Sequence, residues 1–365
     1  MCVVGDRHQP KKIRRIQVNK VSRKAVAGVA MAAASLLVLS GCASPKPGAG
    51  FIECGVSDEG SWADKSFNES VMDGMEKAEA EFGVTLKSAE SNSSEDFAPN
   101  LDAMVAEGCD VIFAVGFNLV DAVNAAAEAN PEVNFVTIDG WSNGATNLKP
   151  VGYNMAESSY LAGYAAAYYS TTKIVSVYGG LQIGAVTAFM DGFYYGAKAY
   201  EAETGTPVTV LGWDATTQQG EFIGGFAPNA PEGKTIAAGH LAAGADVIVP
   251  VGGDQFGALQ EAITESGVDA KMIGVDKNIS VTSPEYAPIT LTSIEKRMGS
   301  AVYDIVKALA VDKEPFAGGG DNAYTGTLAN GGTDISATEF IDETLTAKLA
   351  ELRAGIIDGS INPLS

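Results

Sequence analysis

From Phe51 onward, apolar runs of strand length alternate with runs of helical period, and this alternation restricts the fold more than any other feature of the chain. "FIECGVS" is followed by helical spacing over 67–82, "VTLKSAES" by a helix near 97–107, "DVIFAVG" by one near 119–129, and then comes "NFVTIDG". After Asn154 the rhythm restarts. "ESSYLAGYAAAYY" leads into "KIVSVYGG", a helix over 189–203, "VTVLGW", a helix over 232–243, "DVIVPVG", a helix over 256–266, "KMIGVD" and "ITLTSI". Such order predicts an α/β fold of parallel sheets flanked by helices, in two lobes of about a hundred residues each.

The N-terminus is a different kind of sequence. A basic stretch precedes an apolar run from Ala25 to Leu39 and the ending Leu39-Ser40-Gly41-Cys42, the pattern of a secretory signal peptide over 1–41. That ending resembles a bacterial lipobox, which implies cleavage before Cys42, acylation of its thiol, and membrane attachment through the lipid alone. Residues 42–50, with "ASPKPGAG", read as a tether. Residues 1–41 hold eight Lys or Arg and one Asp, so removing them takes the net charge of the 365-residue chain from −21 to −28. A surface this acidic repels a phosphate polymer, and nucleic acid is excluded as a partner. Cys54 and Cys109 each border an apolar strand; in an exported chain they form a bridge if those strands are neighbours, or remain two buried thiols.

Open parallel sheets gather ligands at the carboxyl ends of their strands. After the first strand comes "EGSWADKSFNES", where Ser66 and Glu69 have capping-box spacing and predict a helix starting at Phe67 with Ser66 as N-cap. Phe67 then begins the apolar stripe, and Asn68 lies off it. Later strands deliver Gly116, Phe117, Asn118 and Asp121; Asp139, Gly140 and Trp141; Gly252, Gly253 and Asp254; Asp276 and Lys277; "YGGLQIGAVTAFMDG" brings Phe189. Rings, carboxylates and a lysine supplied by both halves suit a small polar ligand with a flat ring. Catalysis lacks its parts. Downstream of the leader His240 is the single histidine, and no G-x-S-x-G, Walker A or paired metal-spaced histidines occur.

"DKSFN", "AVGFNLVDAV", "FVTIDG", "GGDQFG" and "IGVDKN", in that order behind a lipobox, resemble the basic membrane protein family of ABC-transporter binding lipoproteins. The resemblance implies a type I, sugar-binding-like periplasmic-binding-protein fold with three crossovers, expected near Tyr153–Asn154, Ile294–Glu295 and Phe316. The N-terminal lobe would then comprise 51–153 plus about 295–315, and the C-terminal lobe 154–294 plus about 316–365. It implies a purine nucleoside (guanosine, inosine or adenosine) as ligand, delivery to an ABC permease and its ATPase, no cofactor, no metal and a monomer. Phe67 and Phe189 match the rings that sandwich the base, Asn68 and Asp121 the base edge, Asp254 and Lys277 a ribose clamp, and Asp64 the acid of the first motif. Ala63 and Ala188 stand where the family often carries acidic and basic residues, which leaves the base preference open. A flavin as the flat ligand, or ligand sensing without transport, remain alternatives; a nucleoside hydrolase is the remotest.

Overall fold

Residues 45–365 are described by a computed structural model; the leader and Cys42 lie outside the described residues. The expected tether is shorter than its composition implies, because residues 46–48 are held against the body. Gly48 N–H donates to the Phe82 carbonyl at 2.9 Å and Lys46 Nζ donates to the Ala80 carbonyl.

The first half runs β1 (Ile52–Val56), α1 (Phe67–Phe82), β2 (Thr85–Ala89), α2 (Phe97–Ala106), β3 (Val111–Val115), α3 (Val120–Ala129), β4 (Asn134–Ile138) and β5 (Leu148–Tyr153). β3 is buried at every residue, the property of a parallel strand covered on both faces and the reason its sequence is uninterrupted apolar. One face packs Val71, Met75, Ala78 and Phe82 of α1; the other packs Leu101 of α2 and Val123 of α3. β1 and β3 pair directly, and a disulfide joins Cys54 to Cys109 across them with the Cα atoms 6.0 Å apart.

The second half runs α4 (Met155–Tyr169), β6 (Ile174–Gly179), α5 (Gly184–Thr204), β7 (Thr209–Leu211), the short pair β8 (Trp213–Asp214) and β9 (Gln219–Gly220), α6 (Pro231–Ala242), β10 (Val247–Val251), α7 (Phe256–Ser266), β11 (Lys271–Asp276), α8 (Ile279–Thr282) and β12 (Thr290–Lys296). α5 begins at Gly184 rather than 189, so Phe189 sits inside the helix and not at its start. α4 and α5 approach until a Cβ at Gly196 would lie 1.9 Å from the Tyr160 carbonyl oxygen, a contact only glycine permits.

Then come α9 (Met298–Ala310), β13 (Tyr324–Gly326), β14 (Thr333–Ile335) and α10 (Glu343–Asp358). The first sheet has the order β13-β5-β4-β3-β1-β2, wholly parallel, and the second β14-β12-β11-β10-β6-β7, with β14 alone antiparallel. The chain passes between sheets after β5, after β12 and between β13 and β14. The last passage lies beyond the expected Phe316, because Phe316 packs in the first core and β13 pairs with β5. The glycines at 318–320 form a loop within the first half, where Gly319 N–H donates to the Leu148 carbonyl at 2.8 Å. α10 packs Leu345, Leu349 and Leu352 against Tyr160 and Tyr164 of α4, and Asp342 caps it by accepting from Leu345 N–H at 2.7 Å.

Candidate ligand-binding site

The carboxyl ends of the parallel strands of the two sheets face one another, and between them lies a cavity. Phe67, Phe117, Phe189 and Phe226 line it, with Asp58, Asp64, Asn68, Asp139, Asp276 and Lys296. Four of these six polar members follow or end a strand: Asp58 after β1, Asp139 after β4, Asp276 at the end of β11, Lys296 at the end of β12. Asp139 and Asp276 hold left-handed backbones, φ 60° and 65°, which a short polar side chain tolerates better than a branched one.

In the first half the polar groups are fixed by one another. α1 begins at Phe67 as expected, but Ser66 does not cap it with its side chain. Asp64 does: Oδ1 accepts from Ser66 N–H at 2.9 Å and Glu69 N–H at 3.1 Å, and Oδ2 accepts from Asn68 N–H at 2.9 Å. Such a cap is worth about 1 kcal/mol, and here it also sets the direction of Phe67 and Asn68. Asn68 Nδ2 donates to Asp58 Oδ1 at 2.7 Å and Asp64 Oδ2 at 3.2 Å, leaving its own Oδ1 buried without a partner among the described residues. Burial, the largest cause, lifts the Asp58 carboxyl to about 6, while hydrogen bonds from Asn68 and Gly60 pull it down. Gly116 passes beside this carboxylate with φ 111°, and a Cβ there would stand 2.5 Å from Asp58 Oδ2.

The second half contributes an ion cluster that reaches across. Lys296, buried, donates from Nζ to Asp139 Oδ2 of the first half, and lies 5.1 Å from the ring centre of Phe67 and 5.9 Å from that of Phe189. The freed hydroxyl of Ser66 donates instead to Asp276 Oδ2 at 2.6 Å. Burial pushes Asp276 up to about 6, against the lowering effects of Lys296 and of that hydroxyl. Two rings from opposite halves thus flank one ammonium and its carboxylates. A flat ring bearing hydroxyl groups matches this arrangement, with the rings for its faces and the charged groups for its hydroxyls.

Of the sequence-derived candidates, Asp64, Phe67, Asn68 and Phe189 line this cavity, and Asp121, Asp254 and Lys277 do not. Asp121 is exposed on α3 beside an outer groove with Asn143 and Asn147, because the short turn Phe117–Leu119 rotates the helix start away. Lys277 turns outward to Glu69 Oε1 and Asp73 Oδ2 at 2.6 and 2.7 Å. Asp254 is buried next to Gly253 with Oδ1 unpartnered among the described residues; burial raises its pKa, and the nearby Lys65 charge lowers it. Sequence reasoning noted Asp139 and Asp276 as strand-end residues without selecting them, and missed Lys296. The one sequence signal for Lys296 was faint: it stands two residues past the apolar run of β12, beside β11, which ends in Asp276. Among the described residues no group of three or more His, Cys, Asp or Glu is placed to hold a metal ion, and no helix is long and apolar enough to cross a membrane.

Known proteins resemble this chain in sequence and in fold. The profile of the Bmp family, described as ABC transporter substrate-binding protein PnrA-like, matches residues 51–357. The ABC transporter nucleoside-binding protein BmpA of Lactococcus lactis is 30% identical over 364 residues, which span 93% of this chain and 99% of that protein. Basic membrane protein A of Borreliella burgdorferi is 30% identical across 72% of this chain and 73% of its own. An ABC transporter solute-binding protein of Aeropyrum pernix superposes with a TM-score of 0.75 at 24% identity, covering 86% of this chain and 92% of that one. A LacI family transcriptional regulator of Enterococcus faecium superposes at 0.55 with 17% identity, over 78% and 97% of the two chains. These likenesses show a shared type I binding-protein fold. The chain belongs to the Bmp family of PnrA-like ABC transporter substrate-binding proteins, which bind solutes and are not enzymes.

Proposed function

We propose that this substrate-binding protein captures a purine nucleoside (guanosine, inosine or adenosine) between its halves and hands it to an ABC permease powered by an ATPase. It would do so as a monomer outside the cytoplasmic membrane, held there by lipid on Cys42. One observation carries the reading: ring faces from both halves flank a buried cluster of carboxylates and one ammonium. Stacking a base on an aromatic ring contributes about 1 to 3 kcal/mol, and Phe67 and Phe189 are assigned that role. Asn68 spends both N–H groups on Asp58 and Asp64 and offers only its carbonyl, so the base edge facing it must donate. Asp64 acts by holding Asn68. The sugar hydroxyls, expected at Asp254 and Lys277, pass to Asp276, Asp139 and Lys296, which line the cavity. Asp121 leaves the site. The Lactococcus lactis relative, named as nucleoside-binding, supports the same ligand class.

A thermal-shift screen of the purified domain tests this reading. A purine nucleoside at about a hundred times its dissociation constant stabilises the fold by about 2.7 kcal/mol and is recovered intact. Stabilisation by flavins or free sugars, and not by nucleosides, would refute the ligand assignment.

A further inference from the structure

Lys277 directly follows Asp276, yet the two side chains serve opposite sides of the same wall. The left-handed backbone at Asp276, φ 65°, and a tight turn in which Lys277 N–H donates to the Val275 carbonyl at 2.8 Å send Asp276 into the cavity and Lys277 out of it. Outside, the Lys277 side chain is 11% exposed and meets Glu69 and Asp73. Those two acids are one helical turn apart on α1, so one ammonium reaches both. The residues just before them are Phe67 and Asn68, which face the cavity. The ion pairs therefore run from the second half to the same helix start that carries the ligand-facing ring and amide.

We propose that Lys277 is a positioning residue of ligand capture: without touching the ligand, it draws the first turns of α1 against β11 and so brings Phe67 and Asn68, already oriented within the first half, up to the second half's side of the cavity. Burial alone would lower the Lys277 pKa, but the bonds to Asp73 and Glu69 outweigh it and leave it raised, so the ammonium is present at neutral pH. Coulomb attraction between partly exposed groups is screened by salt. Affinity for an uncharged ligand then becomes salt-dependent, which contacts to that ligand alone do not produce.

The inference rests on the nucleoside reading for its ligand, and guanosine is the probe. Lys277→Met and the double change Glu69→Gln with Asp73→Asn each weaken guanosine roughly tenfold at about 0.1 M salt, and the triple change is no worse than either. At about 1 M salt the differences from wild type fade, and Lys277→Arg keeps wild-type affinity throughout. If Lys277→Met costs the same factor in the Glu69→Gln, Asp73→Asn background, Lys277 acts on the ligand itself and the proposal falls. Absence of any guanosine binding by wild type would sink the nucleoside reading and not this one, because closure is also read without ligand. In X-ray scattering of the ligand-free protein, Lys277→Met shows a larger radius of gyration than wild type at low salt, and equal radii overturn the proposal.

Discussion

The two halves meet the cavity with different surfaces. From the first half come Asp58, Asp64 and Asn68, tied to one another and to the backbone of α1 by hydrogen bonds that lie wholly within that half. The second half presents Val251, Gly252, Ile183, Phe189 and Phe226, and its two charged members, Asp276 and Lys296, bond across the gap to Ser66 and Asp139. One surface is ordered before the halves meet; the other completes its polar contacts only on closure. Capture in this arrangement begins on the first half and is sealed by the second, the usual logic of hinge closure around a ligand.

Lys296 is the residue whose loss damages this arrangement most. Lys296→Met leaves the buried Asp276 and the half-buried Asp139 without their cation, and removing one partner of a buried pair costs about 3 to 5 kcal/mol. Chemical denaturation measures it; a loss below about 1 kcal/mol would show that the pair is open to solvent and that the second half's cluster does not depend on closure.

The cores differ too, and the disulfide tests that difference. It closes a span of 55 residues in the first half. Replacing both Cys54 and Cys109 with Ala should lower stability by about 2 to 5 kcal/mol, with hydrogen exchange rising first in β1 and β3. Uniform loosening of both halves would mean that they unfold as one unit.

Two buried carboxylates sharpen the contrast further. Glu53 in β1 is fully buried with neither oxygen hydrogen-bonded among the described residues, and burial, then the charge of Glu79, lifts its carboxyl from 4.5 to about 8. The folded chain keeps that proton between about pH 4.5 and 8, where the unfolded chain releases it, so this group makes stability fall as pH rises through that window. Asp246 in the second half behaves oppositely. Burial would raise it, but bonds from Ser170, Thr171 and Thr172 outweigh that and leave it lowered, so its stabilisation is present above the ordinary Asp range and lost as pH falls. Glu53→Gln should therefore be more favourable at pH 8 than at pH 5, by at least about 1.4 kcal/mol, one pKa unit. A melting profile whose pH slope is unchanged by that substitution would contradict the neutral buried carboxyl.

Much of this molecule is legible in its sequence because parallel strands must be apolar throughout and ligands must sit at their ends. β3, α1 over 67–82 and the start at Phe67 all follow from pattern. What pattern could not supply is rotation and direction. Asp121 lies one turn into a helix after a strand end, but the short turn before it swings it outward. Ser66 has capping-box spacing, yet Asp64 reaches the same N–H groups and frees the hydroxyl for Asp276. Lys277 follows a strand-end acid, and the left-handed residue before it reverses its direction. Lys296 was hidden because the apolar pattern of its strand fades at Ile294, two residues before the strand ends.

The central claim is that rings from the two halves hold a base while the carboxylates at strand ends hold a sugar. Calorimetry of guanosine and guanine on wild type, Phe67→Ala and Asp276→Asn tests it most directly. Phe67→Ala should weaken both ligands by a similar amount, about 1 to 3 kcal/mol, because stacking is indifferent to the sugar. Asp276→Asn should weaken guanosine by about 1.5 to 3 kcal/mol, the worth of a hydrogen bond to a charged group, and leave guanine nearly unchanged. Equal losses for guanosine and guanine in Asp276→Asn would contradict the assignment of that carboxylate to the sugar.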